Sequence, residues 1–376
     1  MIVKIENQAR DYAWGSTTLL ADFLGFEATG EPMAEVWFGT HAGSPTTVIG
    51  GGTLAELRDR PLGFLLKFLA AAIPLSIQVH PSRALAEVGF AREEAAGVPL
   101  GSATRNYKDA NPKSESLVAI TDFEVLAGLR PGPEVAQALH GLLGVVSANA
   151  ETLNSLIRTA ESNPGSLYEV VLHGGVEFDA LTAELAEGLA SPGDEDQALL
   201  KLIFENFGAD RGALLALFMR HLTLRPGQAL VVPAGTPHSY LSGLGLEIQD
   251  NSDNVMRAGL TEKNVNATEF LKALDVAVAA GCDVVEPSEL AVGLKAYPAI
   301  SEDYCLHQID VSSGNLLVDI PLPGDSIVVC ISGEIAISNS LEERVILRRG
   351  EAAYATADAK FYSFTGSGKG YIGSEL

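Results

Sequence analysis

The sequence predicts a mainly β protein interrupted by an α-helical block, and three observations carry that reading. Residues 1–130 are dominated by short runs in which apolar and polar side chains alternate, the two-residue period of a half-buried strand. Residues 131–215 change period: segments such as EVAQALHGLLGV and DEDQALLKLIFENFG repeat leucines three and four apart, between Pro, Gly and Asn turns. Alternation resumes in LLALFMRHLTLRPGQALVVPAGTPHSYL, from residue 214, so the helical block reads as an insertion into a sheet domain. The expected boundaries are 1–130 and 216–275 for the two parts of one β domain, 131–215 for the helical domain inside it, and 276–376 for a second β domain.

Taken in order, the first 60 residues hold a short strand, RDYAWGS, helical turns over 18–24 and 54–60, and the stretch MAEVWFGTHAGSP. Extended, that stretch puts Glu35 and Trp37 on one face, opposite Val36 and Phe38. Trp14 and Trp37 are read as packing residues, and His41 as structural. Residues 64–70 form a continuous apolar run read as an inner strand, with a short helix as the competing reading. In PLSIQVHPS (74–82), Leu75, Ile77 and Val79 alternate with Ser76, Gln78 and His80, so one face packs while the other carries an amide and an imidazole. An edge strand with a polar outer face is the plainer account of that pattern, and a site is the other.

A helix over 82–91 and a polar loop lead to RNYKDANPKSESLVAITDFEVLAGLRP, which crowds Tyr107, Lys108, Asp109, Asn111, Lys113 and Glu115 ahead of two strands. A solvated charged loop would account for it, but Glu115 enters the sheet, where an unpaired carboxylate is costly. His140 and His173 lie in or beside helices and are read as ordinary. Further on, His238 and Tyr240 share a face, Glu247 stands opposite Leu246 and Ile248, and Asp253, Val255 and Arg257 have common parity if that segment is extended. The C-terminal segments CLHQIDV, NLLVDI, SIVVCISGEIAIS, RVILRRGEAAYATA and KFYSFTG are spaced like the strands of a sandwich or barrel, with a structural or regulatory role expected.

With 25 basic against 48 acidic side chains, the formal charge of −23 argues against a nucleic-acid or anionic-membrane surface, though not against a small phosphorylated ligand held by a local group of cations. The cysteines Cys282, Cys305 and Cys330 are odd in number and lack a C-x-x-C pair, which speaks against a disulfide framework or a thiolate zinc site. No apolar signal core or membrane-length run is evident, so a cytoplasmic location is expected.

Gln78, His80, Glu115 and His238 together offer two imidazoles, a carboxylate and an amide oxygen. Zn²⁺ accepts that set, with Mn²⁺, Co²⁺ and Fe²⁺ left open by ligand type. Arg257, Lys263 and Lys113 are the cations at hand for an anionic head group, and Ser76, on the face of Gln78, is a further contact for a phosphate or sugar.

YAWGS (12–16), AEVWFGTH (34–41), PLSIQVHP (74–81), YKDANPKSE (107–115), PAGTPHSYL (233–241) and SDNVMRAGLTEK (252–263) resemble, in order, motifs of the type I mannose-6-phosphate isomerases of the cupin superfamily. The resemblance implies two cupin-type β-barrel (jelly-roll) domains with an inserted α-helical subdomain, the first barrel being catalytic. It implies zinc on Gln78, His80, Glu115 and His238, an essential Arg257, an active-site Lys113, and Glu247, Tyr240, Asp253 and Lys263 as further pocket residues. One departure stands out: the family pattern N-H-K-P-E reads Asn111-Pro112-Lys113-Ser114-Glu115 here, so a histidine given a proton-handling role in relatives is absent.

The implied reaction interconverts mannose 6-phosphate and fructose 6-phosphate through an enediol(ate). Arg257 stabilises the oxyanion or binds phosphate, and Lys113 and Asp253 are candidates for proton transfer and ring opening. The partner is a phosphorylated hexose, with neither nucleic acid nor membrane. A monomer is the working expectation, although the sequence does not decide oligomeric state. Two rivals stay open: a cupin metalloenzyme for another sugar phosphate or an oxygenase, and a sugar-phosphate-binding regulatory protein that has lost turnover, which Pro112 keeps in view.

Overall fold

A computed structural model of the chain describes residues 1–312 and 316–376; the first residue of NLLVDI, Asn315, lies outside the described residues. The strand that positions everything else is His238–Asp250. Its second half pairs antiparallel with Phe64–Ala71 on one side and Glu115–Ala119 on the other, setting Glu247 opposite Lys67 and Gln249 opposite Glu115. Its first half takes other partners: Phe123–Ala127, and Ile77–Val79, which pairs in turn with Met256–Gly259. The change of partner falls at a register shift between Tyr240 and Ser242, beside Gly243. Gly243 has a φ of +130°, and a Cβ there would come within 2.7 Å of Phe123, so the bend needs glycine.

Phe64–Ala71 is buried at every position, which resolves the apolar run as an inner strand. Ile77 and Val79 enter the core beneath the helical block with Met256, Ala258 and Leu260, leaving Gln78 on the opposite face. Leu75 does not join them. It precedes the strand, its amide donates to the Tyr240 carbonyl at 2.8 Å, and it packs beside Leu117 and Val125 instead.

The helical block contains Gly132–His140, Ala150–Ser162, Leu167–His173, Val176–Gly188 and Glu195–Phe207. Leu153, Leu156, Ile157 and Ala160 give Ala150–Ser162 its buried stripe. Gly212–Leu217 is one more helix, where the sequence reads resumed β alternation. All of its residues are buried, and a run apolar on every side has no period by which to tell helix from strand. Alternation begins only at Arg220–Leu224.

The chain's first strand, Ile2–Glu6, pairs with Ala352–Ala355 and so joins a sheet of eight strands built mostly from the C-terminal third. Nothing in residues 1–130 by themselves anticipates that. A four-stranded sheet of Leu317–Ile320, Tyr362–Gly366, Glu334–Asn339 and Arg344–Arg348 packs against it around Ile335, Ile337 and Phe364. Phe64, Phe68 and Ile248 share a core with Tyr304, Ile327 and Tyr371, joining the two β regions, and Arg58 bonds Asp325, Tyr354 and Glu375 across the same junction. With so much of the chain helical, the fold is mixed α/β rather than mainly β. No described helix is long and apolar enough to cross a membrane.

Candidate active site

His80 and His238 stand at the ends of neighbouring strands with their ring centroids 4.9 Å apart. The turn before His238 depends on Gly235, whose φ is +93° and whose Cβ would fall 2.8 Å from Asp275. Each imidazole is oriented by a backbone carbonyl: His80 Nδ1 donates to Asn254 at 2.8 Å and His238 Nδ1 to Thr236 at 3.0 Å. That choice of tautomer leaves an unprotonated Nε2 on both rings, and both face Glu115. His238 Nε2 lies 2.8 Å from Glu115 Oε1, and His80 Nε2 lies 3.3 Å from Oε2.

The closer approach is not a hydrogen bond, because neither atom carries a proton; His238 Nε2 is a buried nitrogen without a donor. Glu115 Oε2 and His80 Nε2 instead receive the Lys113 ammonium, at 2.6 and 3.1 Å. Burial opposes ionisation of Glu115, yet the Lys113 charge holds its carboxyl well below the usual range. Burial, and then the Lys113 charge, push His80 down to about 3, so it is neutral. Converging acceptors of this kind suit a divalent cation. The donor atoms of His80, Glu115 and His238 all lie within 4.8 Å of one another, the N/O set that zinc accepts.

Gln78 sits directly opposite His238 in one register and opposite Arg257 in the other, so the three share a sheet face. Deeper in, Tyr240 Oη bridges Glu115 at 3.1 Å and Glu247 at 3.0 Å. Glu247 accepts from Lys67 at 2.8 Å, Lys67 also reaches Gln249 at 2.6 Å, and Glu35, 3.8 Å from Lys67, accepts from Trp37 Nε1 at 2.8 Å. Burial would lower the Lys67 pKa, but the Glu247 and Glu35 carboxylates raise it; burial raises that of Glu35. Lys67 is a site residue that sequence reasoning missed. Its signal was a single lysine inside FLLKFLAA, a run that otherwise has no use for charge.

Towards solvent, Arg257 and Lys263 form no ion pair among the described residues, and neither does Lys108. Burial, and then the charges of Arg257 and Lys108, lower the Lys263 pKa, so Lys263 feels both of the other cations. Lys263 Nζ lies 5.9 Å from the Tyr12 ring centroid. Lys108, too, went unassigned in the sequence. Asp253 lies in the loop ahead of Met256–Gly259 rather than in an extended run with Arg257, and there it meets His41 at 3.2 Å. Ser76 is half-buried in the segment just before Ile77–Val79.

Fold and site together define a metal-dependent enzyme whose donors stand at the ends of β-strands. Residues 2–132 match the family model described as phosphomannose isomerase type I, catalytic domain. The chain is 32% identical over 386 residues to mannose-6-phosphate isomerase of Salmonella typhimurium, covering 97% of each, and 33% identical over 387 residues to that of Escherichia coli, again covering 97% of each. A crystal structure of mannose 6-phosphate isomerase bound with zinc and yttrium aligns over 100% of this chain and 99% of that one, with a TM-score of 0.88 at 30% identity. A zinc-bound holo form aligns over the same shares with a TM-score of 0.86 at 30% identity. The chain belongs to the type I mannose-6-phosphate isomerase family, and its catalytic domain is cupin-like.

Proposed function

We propose that this protein interconverts mannose 6-phosphate and fructose 6-phosphate by moving a proton between carbons 2 and 1 through an enediol(ate). The observation that carries the reading is the convergence of His80, Glu115 and His238 on one point, beside cations that form no ion pair among the described residues. In a chain with 48 acidic residues, leaving Lys108, Arg257 and Lys263 together without an ion pair among the described residues costs free energy that an anionic substrate would recover. A divalent ion, Zn²⁺ by donor type, would be held by Gln78, His80, Glu115 and His238 and would supply Lewis acidity towards substrate oxygen.

Arg257 and Lys263 hold the phosphate or the developing oxyanion, with Lys108 and Ser76 beside them. Glu247 and Tyr240 orient Glu115 from behind and line the substrate pocket. Asp253, at the open rim, takes the proton of the anomeric hydroxyl as the ring opens, and Lys113 handles the proton between carbons 2 and 1. The finer architecture we propose is two jelly-roll barrels, the catalytic one formed from residues 1–130 and 216–275, with 131–215 inserted and 276–376 as the second barrel. The protein works in the cytoplasm as a monomer.

A coupled assay of metal-replete protein with mannose 6-phosphate tests the function, repeated after chelation and on Arg257→Ala. Turnover lost in both controls supports it; turnover unchanged after verified metal removal defeats the metal mechanism. Pro112 favours one second reading, a protein that binds sugar phosphate without converting it. Saturable binding with no turnover by the metal-replete wild type would be its signature.

A further inference from the structure

His41 is more tightly committed than a packing residue needs to be. It follows the strand Glu35–Phe38, and its ring stands edge-on to Trp37 with centroids 5.0 Å apart. Nδ1 accepts the Gly43 amide at 3.0 Å, which fixes the ring proton on Nε2, and Nε2 lies 3.2 Å from Asp253 Oδ2. A Cβ on residue 43 would fall 3.1 Å from that Nδ1, so glycine leaves the ring its place. Asp253 is held on its backbone side as well, its amide donating to Asp109 Oδ2 at 2.9 Å.

The imidazole side chain is 15% exposed and the carboxylate 47%, which places Asp253 at the open rim with His41 behind it. Other charged groups act on the same carboxylate: Lys108 and Lys113 favour its ionised form, while Asp109 sits against its backbone. The hydrogen bond from His41 is the largest influence in the same direction, lowering the Asp253 pKa.

We propose that His41 is a positioning residue, whose Nε2–H holds the Asp253 carboxylate in the orientation that receives a proton from the anomeric hydroxyl during ring opening. This rests on the reading of Asp253 given above. In the step, the O1–H proton passes to Asp253, the O1–H electron pair forms the carbonyl at carbon 1, and the C1–O5 bond breaks. Its electron pair stays on O5, which takes a proton from water, and the hydroxide so formed takes back the proton that Asp253 gained, restoring the carboxylate and the water. An incorrectly aimed carboxylate loses rate without losing substrate affinity, so the signature is a fall in kcat at constant KM.

The test uses full-length, metal-replete wild type, His41→Asn, His41→Gln, Asp253→Asn and the double variant His41→Asn/Asp253→Asn, with metal content and circular dichroism measured on each. Asparagine can still accept the Gly43 amide but falls short of Asp253, whereas the glutamine amide reaches it. The expected result is about a tenfold or greater fall in kcat for His41→Asn with KM within about twofold. Most of that rate returns in His41→Gln, and His41→Asn has no further effect in the Asp253→Asn background. Gly43→Ala, which presses on the ring without touching Asp253, lowers kcat in the same direction. Turnover by the wild type with His41→Asn unchanged, or with losses that multiply fully in the double variant, overturns the role of His41 alone. Absence of turnover in the wild type overturns the isomerase reading and the His41 role with it.

Discussion

His238 Nε2 and Glu115 Oε1 face each other at 2.8 Å with no proton between them, an arrangement that repels unless a cation lies against both. The Lys113 ammonium does this for the other half of the cluster, at Glu115 Oε2 and His80 Nε2. Farther out, Lys263 carries a prediction of its own. Burial, and then the charges of Arg257 and Lys108, lower its pKa, so it loses its proton at a lower pH than an ordinary lysine. Its charge, and with it phosphate attraction, is present below that pKa and lost as pH rises through it. KM for the phosphorylated sugar should therefore climb on the alkaline side before the ordinary lysine range is reached. Lys263→Arg should move the climb to higher pH. A KM profile identical in the wild type and Lys263→Arg would remove Lys263 from the phosphate site.

At the level of the element, the strand Phe64–Ala71 carries one ammonium into a fully enclosed cluster with Glu35 and Glu247. Lys67→Met leaves those carboxylates buried and unpaired. It should lower the unfolding free energy by about 3 to 5 kcal/mol in denaturant melts; a loss below about 1 kcal/mol would mean that the cluster is far better solvated than its burial indicates. The helix Ala150–Ser162 is anchored differently, because Glu184 accepts the amides of Ser147, Ala148 and Asn149 at 2.6, 2.9 and 2.8 Å. The Ser147 and Ala148 amides in particular pull its carboxyl down to about 2. A depressed carboxyl pKa stabilises the fold above the ordinary glutamate value, and that stabilisation is lost as pH falls towards about 2. Glu184→Gln should melt below the wild type at neutral pH, the gap closing as the pH is lowered through that window. A gap that persists at pH 2 would point to packing rather than charge.

The same elements explain what the sequence could reveal. The polar side of Gln78 and His80 was legible because strand alternation is local, and Ile77 and Val79 do pack on the other side, although the alternation predicted for Leu75 and Ser76 lies ahead of the strand. Lys67 was hidden because its partners Glu35 and Glu247 come from strands far off in the chain, and Gly212–Leu217 because it is apolar on every side.

For the molecule as a whole, the junction between its two β regions rests on shared apolar packing and on Arg58, whose side chain is 5% exposed and bonds Asp325, Tyr354 and Glu375. Arg58→Ala removes the buried guanidinium that both carboxylates share, leaving Glu375 the exposed Arg60 and Asp325 the Tyr354 hydroxyl, so calorimetry should show a lower or divided unfolding transition; one unshifted transition would show that the apolar packing alone joins the regions. The pairing of Ile2–Glu6 with Ala352–Ala355 could not be read locally, since the two strands are separated by most of the chain and no short-range pattern encodes the partner. The account depends on one ion held by strands from distant parts of the sequence. Anomalous diffraction at the zinc edge, on crystals of protein loaded with one equivalent of zinc, tests it most directly. The predicted result is a single strong peak within bonding distance of His80 Nε2, His238 Nε2 and a Glu115 carboxylate oxygen, with the Gln78 amide oxygen as fourth ligand. A peak elsewhere, or none at that point, would contradict it.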